Sequence, residues 1–399
     1  MRKMLLRHIA AGLVAALTVS IGLHAQDFKL GTRTVQVHGF ASQGYAYSDE
    51  NNVLTMDTSR GSPAFTEGAL NLSMAVTDKF RFGGQGYSRK IGSLDDFRPS
   101  LDWAYGDYKV ANWLGFRGGK VKTVMGLYND TQDMTFLYPW ALLPQGVYPV
   151  DLRTTYIAHT GGDAYGRVSL KELGKLEYTF YGGQRSYDDR DGTILFIQQL
   201  GYKLKTISGH TIGWDVKLHP MKDLTLGTSW ANLAQHRLQL TPPTTLQNMD
   251  NDPNDIWSRY EDYTRGKLQI SSEYRANELM NRVAPTTPGG TVTMSNKSTI
   301  EWFAAASYRI TSKLQTGYYH SNWQMTVPHT PAIQASAHIH DEVVAARYDI
   351  DRFWDVKAEG HFMNGYGDSH QAQGFYVKFN PQGLKPTTNL LMLRATFKF

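Results

Sequence analysis

The last eleven residues, NLLMLRATFKF (389–399), alternate between apolar and polar side chains. Successive side chains of an extended chain point to opposite faces, so alternation of this kind predicts a β-strand. One face of this strand carries Leu391, Leu393, Ala395, Phe397 and Phe399. The other face carries Met392, Arg394, Thr396 and Lys398. The strand therefore presents one side to an apolar medium and the other side to a polar one.

The same two-residue period recurs along the chain and predicts about sixteen strands. The predicted strands cover 35–47, 65–76, 80–90, 101–110, 116–126, 155–170, 175–186, 209–218, 224–238, 255–263, 268–278, 298–310, 314–323, 338–350, 355–365 and 389–399. The segment 255–263 alternates least well. Long helices are not predicted anywhere after residue 25.

The connections between these segments alternate between long and short. The short ones are 77–79, 111–115, 171–174, 219–223, 264–267, 311–313 and 351–354, and the long ones lie between them. Transmembrane β-barrels have this arrangement, with short periplasmic turns and longer extracellular loops. About sixteen strands enclose an interior too wide for side chains to fill, so the polar face must line water and the apolar face must meet lipid. The fold class is therefore an all-β, transmembrane antiparallel barrel.

Composition narrows the range of functions. The chain of 399 residues has no cysteine, which excludes thiol catalysis and thiolate metal sites. Its net charge of +5 is too small to indicate nucleic-acid binding. No serine or threonine nucleophile stands in a pattern with histidine and a third residue, and the histidines have no carboxylate cluster beside them. We therefore expect no enzyme, no cofactor and no metal site.

The N-terminus has the features of a secretory signal peptide. Arg2, Lys3 and Arg7 precede an apolar run over 9–23, and a small residue, Ala25, offers a cleavage point. An uncleaved anchor is the alternative, but the run is short and no stop-transfer pattern follows it. The sequence thus predicts export through a cleaved peptide, residues 1–25, and a single barrel domain over 26–399.

Charged residues on the polar face would line the pore and set the potential felt by a permeating ion. The basic ones that we assign to the lining are Arg81, Arg89, Arg167, Arg185, Arg309, Arg347, Lys357 and Arg394.

The long connection 127–154 is far more apolar than a solvated loop. Residues such as Trp140 and Leu142 need burial, so this segment can fold into the lumen and narrow it. The expected constriction brings acidic and basic groups together: Lys120, Lys122, Asp130, Asp133, Asp151 and Arg153. Opposed charges across a constriction would filter solutes by charge as well as size. The alternative is an outward loop that contacts lipopolysaccharide or another subunit.

Several segments resemble Gram-negative outer-membrane porins, in particular the superfamily that includes the phosphate-selective porins. They are HGFASQGYAYS (38–48), GGKVKTVMGLYND (118–130), LPQGVYPVDLR (143–153) and the terminal Phe399. The resemblance implies a sixteen-stranded channel, commonly a homotrimer, that the outer-membrane assembly machinery inserts through its C-terminal aromatic strand. In that view Phe399 is the membrane insertion signal. The chain lacks a long arginine ladder and has Val124-Met125 where such motifs often have proline, which argues against phosphate selectivity.

The sequence thus predicts a passive diffusion channel for small hydrophilic solutes and ions. It would lie among the lipid and lipopolysaccharide of a Gram-negative outer membrane. The alternative function is a porin that prefers anions, such as phosphate-like solutes.

Overall fold

A computed structural model describes residues 26–31, 33–187, 190–199, 203–204, 207–241, 247–285, 291–326, 334–367 and 374–399 of the chain. The predicted signal peptide, 1–25, lies outside the described residues.

Sixteen antiparallel strands form one closed barrel, in which each strand pairs with its neighbours in sequence and the last strand pairs with the first. The strands are β1 (Arg33–Ser48), β2 (Ser62–Ala75), β3 (Phe80–Ile91), β4 (Ser100–Ala111), β5 (Leu114–Lys122), β6 (Ala158–Ser169), β7 (Lys175–Tyr187), β8 (Ile207–Met221), β9 (Leu224–Asn232), β10 (Gln247–Arg265), β11 (Leu268–Pro285), β12 (Thr293–Arg309), β13 (Leu314–Thr326), β14 (His338–Asp349), β15 (Trp354–Asn364) and β16 (Thr387–Lys398). Three further short strands, Gln26–Leu30, Lys203–Leu204 and Gln235–Thr241, extend the sheet at its margins.

The predicted barrel and its strands are confirmed, with differences at the ends. The weakest segment, 255–263, lies inside the longest strand, β10. Its alternation was poor because Arg259 and Glu261 are exposed on the same side of the strand as Trp257. The predicted strand 116–126 ends earlier, at Lys122, because the chain leaves the sheet there.

The barrel wall has one buried and one exposed rank of side chains, as alternation requires. In β16, Met392 and Arg394 are buried, whereas Leu391 is 43% exposed. In β14, Val343 is fully buried and the next residue, Val344, is 51% exposed. The exposed rank is the apolar one, so the outer surface of the barrel is the one that suits hydrocarbon.

The part of the chain that the structure describes contains two short α-helices, α1 (Arg153–Tyr156) and α2 (Gly192–Gln199). Single 3₁₀ turns occur at Thr58–Arg60, Asn129–Thr131, Thr135–Leu137, Val150–Leu152, Lys171–Leu173, Ala335–Ala337 and Val377–Phe379. Neither helix among the described residues has the length and apolar content needed to cross a bilayer.

A hydrophobic core occupies part of the barrel interior, and the segment 127–154 supplies half of it. Tyr128, Trp140 and Tyr148 of this segment pack against Phe303 of β12 and Tyr319 of β13. The Trp140 and Tyr319 rings meet edge to face with centroids 5.0 Å apart. The apolar residues of the segment are therefore buried against the inner wall.

A second core closes the end of the barrel that carries the long connections. Val53 and Leu54 from the first long connection pack with Phe375 from the last one and with Leu142. Beside them, Ile194 of α2 packs against Tyr376. Four long connections thus meet above the lumen.

Candidate functional site

The segment 127–154 enters the lumen directly after β5. The turn depends on Gly126, whose φ of +66° favours glycine and whose added Cβ would lie 2.2 Å from the Glu273 carboxylate. The Gly126 amide donates to Ser229 Oγ of β9 (3.0 Å), and the Leu127 amide donates to Glu273 Oε2 of β11 (2.9 Å). The chain is thus fixed to the far wall as soon as it leaves β5.

Cationic side chains of the barrel wall bind the main-chain carbonyls of this segment. Buried peptide groups need partners, and a segment without regular structure must take them from its surroundings. The bonds are Arg347 to Phe136 O (2.7 Å) and Tyr138 O (2.9 Å), Lys357 to Thr135 O (2.6 Å) and Trp140 O (3.0 Å), Arg394 to Ala141 O (2.9 Å), Arg275 to Val147 O (2.7 Å) and Arg89 to Val150 O (2.6 Å). Arg185 binds Thr155 O (3.0 Å), the first residue after the segment.

Acceptors on the wall bind the amides of the same segment. Both carboxylate oxygens of Glu359 accept hydrogen bonds, from Ala141 N (2.6 Å) and Leu142 N (3.1 Å). Ser321 Oγ accepts from Gly146 N (3.1 Å). Strand alternation places Glu359 and Glu273 on the lumen face, but neither was among the predicted constriction residues. The apolar side chains of the segment imply that its peptide groups are buried. Buried amides need hydrogen-bond acceptors, so the same observation indicates that the barrel wall must supply them.

The buried wall charges are also paired with each other. Arg275 binds Glu273 (3.0 Å), and Arg394 binds Glu67. His361 lies between Asp341 (2.8 Å) and Glu359 (3.2 Å). Because an unpaired buried charge is costly, these pairs allow the charged wall to be covered by an apolar segment.

Two of the predicted constriction residues form an ion pair. Lys122 Nζ lies 3.0 Å from Asp133 Oδ1 and also donates to the main-chain oxygen of Asp130 (2.8 Å). Gln85 of β3 donates to Asp133 Oδ2 (2.6 Å). The structure therefore ties the acidic start of the segment to the wall formed by β3 and β5.

Two other residues of the predicted constriction lie at the end of the segment. Arg153 donates to Asp102 Oδ1 of β4 (3.0 Å) and lies over the Tyr87 ring, 3.9 Å from its centroid. Asp151 Oδ2 accepts hydrogen bonds from Tyr376 OH (2.7 Å) and Gly374 N (3.0 Å). Asp151 thus contacts the last long connection, at the loop end of the barrel.

Lys120 lies on the outward rank of β5. Its register partners, Ala104 and Thr160, are on the outward rank of their strands, and its Nζ donates to Leu101 O (2.6 Å). Lys120 and Lys122 are two residues apart, so alternation would place both on the same face of a strand. The strand ends at Lys122, however, and the side chain of Lys122 turns to the segment 127–154.

Burial raises the pKa of Asp151 to about 6, because the ionised carboxylate loses its hydration. The two donated hydrogen bonds oppose this shift, and the nearby Asp191 adds to it. Asp191, which accepts from Thr155 N (2.9 Å), also has a pKa raised by burial. Both carboxyls lie between the long connections, outside the membrane-spanning strands.

The predicted pore-lining residues fall into two groups. Arg89, Arg185, Arg347, Lys357 and Arg394 are buried beneath the segment 127–154. Arg81, Arg167 and Arg309 keep exposed side chains; Arg167 pairs with Glu177, and Arg309 lies 3.0 Å from Asp349.

A patch of opposed charges lies on the wall of β5, β6 and β8. Arg117 Nε donates to Asp163 Oδ1 (2.8 Å), between the rings of Tyr105 and Tyr165. Lys217 lies 3.8 Å from Asp215, and Asp130 of the segment 127–154 is among the acidic groups close enough to influence it.

The turn end of the lumen opens into a cavity of about 610 Å³ between the tip of the segment and the first strands. Its lining includes Phe40, Gln85, Phe136, Lys398 and Phe399. Within the described ranges, no group of three or more histidine, aspartate or glutamate side chains is arranged to hold a metal ion.

No family model and no curated protein matches the chain. Several solved structures do match it. The chain is 12% identical to OmpF of Salmonella typhi in complex with daunomycin, over 94% of this chain and 100% of that one, with a TM-score of 0.57. It is 11% identical to in-vitro folded OmpT of Vibrio cholerae, an outer membrane protein in trimer form, over 92% and 100% of the two chains, with a TM-score of 0.54. It is also 11% identical to the anion-selective porin of Comamonas acidovorans, over 92% and 100%, with a TM-score of 0.53.

At sequence identities this low, the structural likeness shows the fold alone. Each comparison covers the whole of the other chain and nearly all of this one, so the likeness includes the entire barrel. Together with the closed ring of strands, these matches show that the chain has the fold of a sixteen-stranded outer-membrane porin.

Proposed function

We propose that this protein is a passive diffusion channel of a Gram-negative outer membrane. The observation that carries the proposal is the segment 127–154, which lies inside the barrel and is held there by wall side chains such as Arg347, Lys357 and Glu359. A barrel of this size without the segment would have a wide lumen. A segment fixed across it sets an upper limit on the size of the solutes that pass.

The charges beside the segment supply the second part of the filter. Asp130 on the segment and Lys217 on the β8 wall carry opposite charges and are close enough for each to influence the other, and we place the path of solutes between them. Arg117 and its partner Asp163 continue the charged wall next to it. Fixed opposite charges on two sides of a narrow passage order water and favour solutes by charge. Turnover and a cofactor have no part in this mechanism.

A channel that prefers anions is the alternative. Arg81 and Arg167 keep exposed side chains, and one of the structural neighbours is described as an anion-selective porin. Such a channel would bind its solute, so its current would saturate or be blocked by micromolar to millimolar solute.

Planar-bilayer recording of the refolded protein tests both functions. A general channel gives a conductance that rises in proportion to salt and a small reversal potential in a salt gradient. A saturating, anion-directed current supports the alternative. Catalytic turnover in detergent by a protein that gives no conductance would contradict both.

A matched pair of substitutions tests the charge filter. Lys217→Gln removes a cation from the wall facing Asp130, so we expect the reversal potential to shift toward cation selectivity. Lys120→Gln makes the same change on the outward rank, where the potential in the lumen is little affected. Equal reversal potentials for Lys217→Gln and the parent protein would remove Lys217 from the filter.

Export through cleavage after Ala25, insertion by the outer-membrane assembly machinery and contact with lipopolysaccharide belong to the same proposal, and so does a homotrimer. The trimer form of one structural neighbour supports the last of these. N-terminal sequencing of the protein purified from outer membranes tests the cleavage.

A further inference from the structure

The cavity of about 610 Å³ at the turn end of the lumen, which we call the turn-end cavity, has aromatic walls. Phe40 of β1 and Phe136 of the segment 127–154 lie with their ring centroids 5.7 Å apart and their planes tilted by 58°. Phe353 and Phe399 add two more rings to the lining. Because aromatic rings pack well when the edge of one meets the face of another, this corner suits the ring of a flat solute.

Lys398 of β16 brings a positive charge to the same corner. Its Nζ lies 5.5 Å from the centroid of the Phe136 ring, and it lies 3.7 Å from Asp355 Oδ2, which is too far for a hydrogen bond. Among the described residues, the ammonium group has no hydrogen-bond acceptor. Its N–H groups are therefore available to a solute in the cavity.

The carboxylate next to Lys398 is shared with two other cations. Asp355 is fully buried and lies 3.6 Å from Arg347 and 3.9 Å from Lys357 as well. Arg347 also pairs with Asp349 (2.8 Å), but a single carboxylate remains for Lys357 and Lys398. The wall behind the cavity thus has an excess of positive charge, and an anion in the cavity would offset it.

A second cation lies at the rim of the cavity. Arg352, in the turn between β14 and β15, lies 4.4 Å from the centroid of the Phe353 ring, and its guanidinium makes no hydrogen bond or ion pair with the described part of the chain. The described lining has no aspartate or glutamate. The terminal carboxyl group of Phe399 accepts the Gly39 amide (3.2 Å) and pairs with neither cation within the described ranges. The cavity therefore attracts anions.

A flat apolar surface and a positive charge lie side by side here, so a well-matched solute carries a ring and an anionic group in one small molecule. We infer that the turn-end cavity binds a small aromatic carboxylate, with its ring against Phe40 and Phe136 and its carboxylate on Lys398. The inference rests on the proposed function, because it names the class of solute that an anion-preferring channel would carry. The cavity volume falls within the range of about 300–1,000 Å³ that is usual for ligand sites.

The site depends on the docked position of the segment 127–154. The segment supplies Phe136, whereas the barrel wall supplies Phe40 and Lys398. Inorganic phosphate suits such a site poorly, because it would lose hydration beside four phenyl rings. An uncharged aromatic molecule would leave the Lys398 ammonium without an acceptor. These two kinds of solute therefore serve as comparisons in the test.

Equilibrium dialysis of radiolabelled benzoate with the folded full-length protein in mild detergent measures the binding. We expect unlabelled benzoate to displace the label at concentrations about tenfold lower than acetate, benzamide or inorganic phosphate require. Displacement by acetate or phosphate as effective as that by benzoate would overturn the inference, since the cavity would then recognise charge alone. Equal displacement by benzamide would also overturn it, since the cavity would then recognise the ring alone.

A matched pair of substitutions tests the role of the cation. Lys398→Gln removes a charge-assisted hydrogen bond, so we expect benzoate to bind about tenfold more weakly. Lys313→Gln is the control, because Lys313 lies in a turn at the same end of the barrel, donates to Ile350 O (2.9 Å) and does not line the cavity. Heat-modified gel mobility checks that each variant has folded. Parental binding by folded Lys398→Gln would overturn the inference.

Phe136→Leu tests the ring, and it decides the question if Lys398→Gln fails to fold. The substitution lies outside the barrel strands and keeps apolar bulk while it removes the aromatic face. Benzoate should bind roughly threefold more weakly, whereas cyclohexanecarboxylate, which has the charge without the aromatic ring, should keep its affinity. Unchanged benzoate binding, or an equal loss for both acids, would contradict the placement of the ring.

Bilayer recording of the same preparation in potassium chloride separates this inference from the proposed function. Conductance by a protein that does not bind benzoate would overturn the site and leave the channel in place. Benzoate binding with the expected preference, by a protein that gives no conductance, would support the site and contradict the channel.

Discussion

Lys357 fixes the inner segment with one side chain. Its Nζ donates to Thr135 O (2.6 Å) and Trp140 O (3.0 Å), and its side chain is fully buried. Lys357→Met would leave both carbonyls without this donor, at a cost of about 1–3 kcal/mol to the docked segment. We expect a larger and noisier single-channel conductance.

Arg309→Met is the control, because Arg309 binds Ser312 O (3.2 Å) and Asp349 at the turn end instead. A quiet, unchanged Lys357→Met channel would mean that the segment does not depend on this bond.

Asp151 should make the closure at the loop end sensitive to pH. The pKa of its buried carboxyl is raised to about 6, above the usual 3.8, so the folded state holds a proton that the unfolded state releases. Stability from this group is complete below about pH 4 and is lost as pH rises through 6. Hydrogen-exchange protection of the Gly374 amide should therefore be greater at pH 5 than at pH 8.

Asp151→Asn should remove most of this difference in protection, since an amide can still accept from Gly374 and Tyr376 but does not ionise. Asp191 keeps its own raised pKa and accounts for any small remainder. The exposed pair Asp57–Arg60 provides a control, because Asp57→Asn should leave the protection of Gly374 and its pH dependence as they are. Equal protection of the parent protein at both pH values would refute the assignment.

At the level of elements, the segment 127–154 packs against β13 at a position that has no side chain. Gly317 has no side chain, and a Cβ there would lie 2.5 Å from the Trp140 ring. Gly317→Leu should displace Trp140 and lift the segment from the wall, while β12, β13 and β14 stay paired. Single-channel conductance should rise. Gly118→Leu adds the same side chain where a Cβ meets nothing within 4 Å, and it should leave conductance unchanged. An unaltered Gly317→Leu channel would show that the segment tolerates the loss of this contact.

The elements differ in how far the sequence predicts them. Strands such as β14 and β16 could be predicted because one face of each strand contacts an apolar medium and the other face a polar one. This difference gives the sequence a two-residue period. The burial of 127–154 was also expected from its apolar residues. The hydrogen-bond partners of that segment could not be predicted from the sequence, because Glu273 and Glu359 come from strands more than a hundred residues away. Only the closed ring brings those carboxylates to the amides they bind.

For the whole molecule, the C-terminal residue forms the last pair of the seam between β16 and β1 that closes the ring. Phe399 N donates to Gly39 O (3.0 Å), and Gly39 N donates to Phe399 O (3.2 Å), so the two ends of the barrel meet at this pair. The Phe399 ring also lies against Gly39, where a Cβ would come within 2.8 Å, and beside Phe397. A larger residue at position 39 could not occupy this seam without moving the ring.

Deleting Phe399 removes both hydrogen bonds and the ring, and it leaves the edge of β1 open at the turn end. Open strand edges in lipid leave peptide groups without partners, so barrels that close incompletely should accumulate. We expect a lower fraction of compact, heat-modifiable protein after refolding into vesicles, while Phe399→Tyr, which keeps the peptide and the ring, refolds like the parent. If the deletion refolded normally in vesicles but failed to reach the membrane in cells, Phe399 would act as an insertion signal and not as the seam. If both steps were normal, neither role would hold.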